Sequence, residues 1–191
     1  RLILRIAPAV ARAAMESGVA KRPIEDWDVY QDRLNRFVFR SGLVMKPIVD
    51  RAQGQGKRIA FADGEDERVL RAAQVVLEER IARPILIGRP AVIEARIERF
   101  GLSIQPGRDF EVINPEDDPR YRDYVQPYLD IAGRRGITPE AARALVRTNN
   151  TVIAALAVAR GEADAMITGL EGRFMSRLRH VKDIIGLAPG V

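Results

Sequence analysis

Lys57-Arg58-Ile59-Ala60-Phe61-Ala62-Asp63-Gly64-Glu65-Asp66-Glu67-Arg68-Val69-Leu70-Arg71-Ala72-Ala73 is the stretch on which the fold reading turns. Ile59-Ala60-Phe61-Ala62 is a short apolar run that reads as a buried strand. From Arg68 to Arg80 the pattern becomes helical, with Val69, Leu70, Ala73, Val76 and Leu77 on one face. Downstream the alternation repeats. Pro84-Ile85-Leu86-Ile87-Gly88 reads as a second strand followed by a helix over 91–100, and Phe110-Glu111-Val112-Ile113-Asn114-Pro115 as a third strand. Helical material covers 121–132, with Pro127 marking a kink. Thr138-Pro139-Glu140 then opens a helical region that runs to Arg160 and stops at Gly161: a threonine cap, a proline in the first turn and an acid near the positive end. Ala165-Met166-Ile167-Thr168 reads as a fourth strand, and 174–185 as a closing helix. Strands alternating with helices predict an α/β fold: three α/β/α layers around a mostly parallel sheet, incomplete in itself and preceded by helices.

Upstream of Lys57 the character differs. Ala52-Gln53-Gly54-Gln55-Gly56 reads as a flexible joint, and the region from Pro23 to about Asp50 as helical, with Trp27, Tyr30, Leu34, Phe37 and Val38 spaced by three or four. That stripe suits core or an interdomain contact better than a ligand cage. A first helix runs through Ile6-Ala7-Pro8-Ala9-Val10-Ala11-Arg12-Ala13-Ala14-Met15, with Pro8 expected in its first turn and Gly18 as its stop. Neither end reads as a natural terminus: the chain opens directly on a helix, and Leu187-Ala188-Pro189-Gly190-Val191 is a turn of the kind that introduces a strand. The expectation is a piece of a larger protein.

Composition limits the function. Hydrophobic residues make up 47% and charged residues 30% of 191, a globular balance with ample core. With no cysteine, disulfides and thiolate metal sites are excluded, and the single histidine, His180, argues against a multi-histidine metal centre. No apolar run approaches the roughly 18–20 residues needed to span a bilayer, and the basic start lacks a signal-peptide core; a cytoplasmic location is expected. The net charge of +5 comes from 31 basic and 26 acidic residues that are interleaved, and aromatics are only 6%. That distribution favours a mixed, solvated surface over nucleic-acid binding.

Two places could carry chemistry. The acidic turn Asp63-Gly64-Glu65-Asp66-Glu67-Arg68 stands where a phosphate loop would stand in many α/β proteins. Its four carboxylates would repel phosphate, and the glycine pattern of a dinucleotide fingerprint is missing. Acidic capping of the next helix is the preferred reading, over a divalent-metal or substrate role. The second place is Thr168-Gly169, at a strand's carboxyl end, with Gly172-Arg173 and a helix behind it. Exposed backbone N–H groups and a helix dipole there have the architecture of an anion site. That helix also carries Arg173, Arg177 and His180 on one face and Arg179 on another, a cation cluster suited to a polyanion such as a nucleotide pyrophosphate. A solvated basic face, or arginines paired with distant carboxylates, remains the open alternative. A lone histidine establishes no Ser-His-Asp triad.

These segments carry a resemblance. The stretch from Lys57 to Ala73, then Ile85-Leu86-Ile87-Gly88, Gly136-Ile137-Thr138 and Gly161-Glu162-Ala163-Asp164-Ala165-Met166-Ile167-Thr168-Gly169, is similar in order and spacing to the start of a phosphate acetyltransferase domain. The segment with Ile6-Ala7-Pro8-Ala9-Val10-Ala11 and Ser17-Gly18-Val19-Ala20 resembles the last helix of a malic enzyme NADP-binding domain. The junction of the two resembles the bacterial hybrid NADP-dependent malic enzymes. The resemblance implies three parts: 1–22 as the end of the NADP-binding domain, 23–56 as a helical linker, and 57–191 as the first part of the acetyltransferase-like domain. It implies a fold like that of isocitrate and isopropylmalate dehydrogenases. For the parent it implies oxidation and decarboxylation of malate to pyruvate with NADP and a divalent metal, Mg or Mn, bound by residues outside this segment.

For the segment itself the resemblance implies a regulatory and oligomerising module sensing acetyl-CoA, without catalytic, metal or cofactor residues of its own. Thr168, Gly169, Arg173 and Arg179 are its effector-site candidates. Homo-oligomers are expected from the same resemblance. Two departures from the active transferase pattern support this. Ala132 stands where transferases carry an arginine before the Gly136-Ile137-Thr138 segment, and Gly172-Arg173-Phe174-Met175 replaces a small, hydroxyl-rich run, while Arg179 is kept. The alternative is part of a working phosphate acetyltransferase acting on acetyl phosphate and CoA.

Overall fold

The computed structural model describes residues 2–38, 42–188 and 190, and their side chains except those of 36–38 and 42–44. The chain divides into two compact units, Arg1–Arg51 and Ala52–Val191.

In the first unit, α1 spans Leu2–Glu16, α2 spans Trp27–Val38 and α3 begins at Gly42 and ends at Ala52. Pro8 lies inside α1, beyond the first turn in which it was expected. Leu2, Leu4 and Arg5 are good helix formers and carry the helix back past the proline, at the cost of the one backbone bond that Pro8 cannot donate. Asp26 caps α2 by accepting from the N–H groups of Asp28 (2.9 Å) and Val29 (3.0 Å). Trp27 meets Tyr30 edge to face at 5.8 Å, and the Arg12 guanidinium lies 4.8 Å from the Trp27 ring centre. The expected stripe is thus half-buried at Trp27, Tyr30 and Leu34; the side chains of Phe37 and Val38 lie outside the described residues.

The second unit is a parallel four-stranded sheet of order β3-β2-β1-β4, with β1 Arg58–Phe61, β2 Arg83–Ile87, β3 Glu111–Ile113 and β4 Ala165–Ile167. Register runs through Ala60↔Ile85, Ala60↔Met166 and Ile85↔Glu111. Pro84 is accommodated in β2 because the Arg83 N–H faces β1, bonding Lys57 O at 2.7 Å. The position of Pro84 therefore faces β3, whose pairing starts only at Ile85.

Side chains alternate between two apolar clusters. Ala60, Ala62, Ile85, Ile87 and Ile113 face α6 (Arg120–Ala132), α7 (Pro139–Thr148), α8 (Asn150–Ala159) and α9 (Phe174–Ile184). Phe61 and Leu86 face α4 (Glu67–Glu78) and α5 (Pro90–Arg99). This unit has the three α/β/α layers that the alternation predicts. In α8 every residue from Thr151 to Ala157 is buried, because the sheet lies on one side and other helices on the other.

The region from Thr138 to Arg160 is two helices, broken at Asn149, whose backbone is extended (φ −113°, ψ 98°). Its side chain accepts from the N–H groups of Thr151 (3.1 Å) and Val152 (3.2 Å) and so starts α8 anew. The Thr138 cap stands as expected, accepting from Ala141 N at 3.2 Å. Among the described residues no helix is long and apolar enough to cross a membrane.

Candidate functional site

The chain runs from β1 outward to β2 and β3, then returns to place β4 on the other side of β1. The order therefore reverses between β1 and β4, and the loops leaving their carboxyl ends open a crevice there, the usual place for a ligand in an open α/β sheet. Asp63 leaves β1 on one side of it; Thr168 and Gly169 leave β4 on the other.

Asp63 crosses this crevice. Its Oδ2 accepts from the backbone N–H of Gly169 (3.1 Å) and of Leu170 (3.2 Å). Its Oδ1 lies 3.0 Å from Nη1 of Arg177 on α9, with both side chains largely buried. The same Nη1 lies 2.8 Å from the Thr168 hydroxyl and 3.1 Å from that of Thr151, and the two hydroxyls are 3.0 Å apart. Gly169 has φ +119°, a conformation that side-chain-bearing residues rarely adopt, and this turns two successive N–H groups toward one oxygen.

Gly64 holds the opposite wall. Its N–H bonds Ile87 O at 3.1 Å, and a Cβ there would lie 2.7 Å from that oxygen. Only glycine lets the loop lie this close to β2.

Of the four candidates, Thr168 and Gly169 lie in this network. Arg173 and Arg179 do not join them: both are exposed, Arg173 at the start of α9 and Arg179 off the buried face that carries Arg177. The proposed common face of Arg173, Arg177 and His180 also separates, since His180 turns to Asn149, 3.3 Å from its Nδ2. Sequence reasoning missed the Asp63–Arg177 pair and Thr151. The signal for Thr151 was a hydroxyl at the head of the otherwise apolar run Val152-Ile153-Ala154-Ala155-Leu156. Ala132 is buried in the core at the end of α6.

The acids of the β1–α4 turn go to separate partners. Asp66 caps α4 through Arg68 N (2.8 Å) and also binds the Arg68 guanidinium (2.9 Å). The Arg68 hydrogen bonds outweigh burial and hold its pKa down to about 2. Glu65 grips Arg89 through its backbone N and two guanidinium nitrogens, each at 2.9 Å. That side-chain bonding lowers its pKa. Glu67 bonds Arg71 at 2.9 Å. The capping reading fits this arrangement. A dinucleotide pyrophosphate does not, because Asp66 already fills the start of α4 with negative charge. A cleft of about 460 Å³ adjoins the turn, lined among others by Glu65, Arg89, Arg96, Glu116 and Arg147. Its arginines are engaged, Arg147 donating to Glu116 O at 3.0 Å and Arg96 to Glu65 O.

The profile of the phosphate acetyl/butaryl transferase family matches residues 43–191. The whole chain is 66% identical over 192 residues to the NAD-dependent malic enzyme of Rhizobium meliloti (strain 1021), and 51% identical over 191 residues to the NADP-dependent malic enzyme of Escherichia coli (strain K12). It spans 25% of the length of each. The crystal structure of a phosphotransacetylase from Streptococcus pyogenes superimposes with a TM-score of 0.72 at 25% identity, over 80% of this chain and 44% of that one.

Proposed function

The chain belongs to the phosphate acetyl/butaryl transferase family, and on that premise we propose that it is the regulatory and assembly segment of a bacterial malic enzyme. The parent oxidises and decarboxylates malate to pyruvate in the cytoplasm, with NAD or NADP and a divalent metal, Mg or Mn. Both coenzymes are named among the relatives, so the earlier expectation of NADP widens to either. In this reading residues 1–22 close the coenzyme-binding domain, 23–56 link, and 57–191 belong to the transferase-like domain. Homo-oligomers form through that domain.

One observation carries the regulatory role. A transferase must aim free donors at the charge that develops as the CoA thiol attacks the acetyl phosphate carbonyl and phosphate leaves. Here the Gly169 and Leu170 N–H groups and Arg177 are engaged by Asp63 at rest, so they are not preorganised for a transition state, whereas a sensing site can be opened by the ligand it binds. Acetyl-CoA is the proposed effector, its phosphates read at the loop of Thr168 and Gly169, with Arg173 and Arg179 at its rim. The second reading, a working phosphate acetyltransferase, is favoured by the family membership and by the match to a phosphotransacetylase.

The full-length protein decides between them. Malate oxidation is assayed with each coenzyme, with and without acetyl-CoA, beside synthesis of acetyl-CoA from acetyl phosphate and CoA. The regulatory reading expects inhibition by acetyl-CoA and no acyl transfer; measurable transfer would overturn it.

A further inference from the structure

The donors around Asp63 form a complete anion cradle. Two successive backbone N–H groups meet one carboxylate oxygen at 3.1 and 3.2 Å, and a guanidinium nitrogen meets the other at 3.0 Å. Arg177 is itself held in place by the hydroxyls of Thr151 and Thr168. Donors placed on two oxygens of one anion suit a phosphoryl group as well as a carboxylate, and a phosphoryl dianion carries more charge to bind.

We infer that Gly169, Leu170 and Arg177 form a phosphoryl-anion site whose resident occupant is the Asp63 carboxylate, which swings out when a phosphate group binds. This rests on the reading of the switch-point loop as the effector site and adds how that site is kept closed. The exchange needs little of the backbone. Ala62 N bonds Ile167 O at 3.0 Å and Gly64 N bonds Ile87 O at 3.1 Å, so both walls stay fixed and only the Asp63 side chain must rotate. Outside the crevice stands the exposed Arg68, paired first with Asp66 and drawn more weakly to Glu171 and Asp63, so the displaced carboxylate moves toward positive charge. Glu171, also exposed, lines the same cleft as Asp63 and adds negative charge that raises the phosphate concentration needed to open the site.

The test is calorimetric titration of the full-length protein with inorganic phosphate, in the wild type, Asp63→Ala, Asp63→Asn and Asp63→Ala/Arg177→Ala. Asp63→Ala is expected to bind phosphate about tenfold or more tightly than the wild type. Asp63→Asn gains less, because its amide oxygen still accepts from the cradle. The double variant loses the gain. Circular dichroism establishes folding, and Asp63→Asn is read by the same criterion if Asp63→Ala does not fold.

The proposal is overturned by a folded variant that binds phosphate no better than wild type, by a gain that survives loss of Arg177, or by failure of both Asp63 variants to fold, which would make Asp63 a structural tie. Acetyl-CoA inhibition of malate oxidation, measured in parallel, separates the two readings. Tighter phosphate binding with no acetyl-CoA response in any variant upholds the cradle and removes acetyl-CoA as effector. An acetyl-CoA response with unchanged phosphate binding upholds the effector and removes the gate.

Discussion

The amide of Asn149 and the imidazole of His180 meet at 3.3 Å, Nδ2 to Nε2, and the Asn149 cap fixes the direction of that bond. The Asn149 Oδ1 is taken by the N–H groups of Thr151 and Val152. Its Nδ2 must therefore donate, and Nε2 of His180 must accept as a neutral ring.

Protonation of His180 breaks this contact. Burial, opposed by Asp183 and aided by Arg179, pushes its pKa below the ordinary 6.5. The unfolded chain then binds the proton more readily, so the stability it contributes is complete above 6.5 and is lost as pH falls through the lowered folded value. It is the one histidine in the chain. Urea midpoints are expected to drop between about pH 7.5 and 5.5 in the wild type and to stay flatter in His180→Gln. Equal slopes would rule out the coupling.

Gly64→Ala is expected to destabilise by about 1–3 kcal/mol, because its Cβ would meet the Ile87 backbone at 2.7 and 2.8 Å. Gly133 is the contrast. Its φ is −60° and nothing lies within 4 Å of an added Cβ, so Gly133→Ala should stabilise by about 0.4–1 kcal/mol. Thermal melts of the pair give opposite signs if the packing around Gly64 is as described.

Asp66→Ala removes the cap of α4 and should cost about 0.5–2 kcal/mol near neutral pH. With the Asp66 pKa lowered from 3.8 to about 2, its contribution is present above 3.8 and lost as pH falls toward 2. The gap between wild type and variant, followed by denaturant midpoint, should close over that window.

Tyr124, buried in the core, donates its hydroxyl to Glu162, and Arg160 Nε bonds the other Glu162 oxygen at 2.7 Å. Burial first, then Glu162, raises the phenol pKa. Tyr124→Phe should lose about 1 kcal/mol, since Glu162 keeps Arg160 and part of its hydration. Burial raises Tyr128 as well, so ultraviolet titration should show two late-ionising tyrosines in the wild type and one fewer in Tyr124→Phe.

Much of the fold was legible because the relevant forces are local. The apolar run Ile59-Ala60-Phe61-Ala62, the helical spacing of Val69, Leu70 and Ala73, and the Thr138-Pro139-Glu140 start depend on neighbours a few residues away. The break at Asn149 was not legible, since Arg147 and the apolar run from Val152 suit one continuous helix. The asparagine ends α7 there by bonding its own backbone two and three residues on.

By itself the sequence determined that β-α units would stack into a parallel sheet, and that Thr168 and Gly169 would leave a strand's carboxyl end. Only the tertiary structure decided what meets them there. Asp63 lies 106 residues from Gly169 in the chain and reaches it because β4 pairs with β1 and not with β3. α9 and its cap carry three arginines, and the rotation of α9 against α8 selects Arg177 and leaves Arg173 and Arg179 in solvent. Strand order and helix rotation come from burying the whole core at once, which no local period encodes.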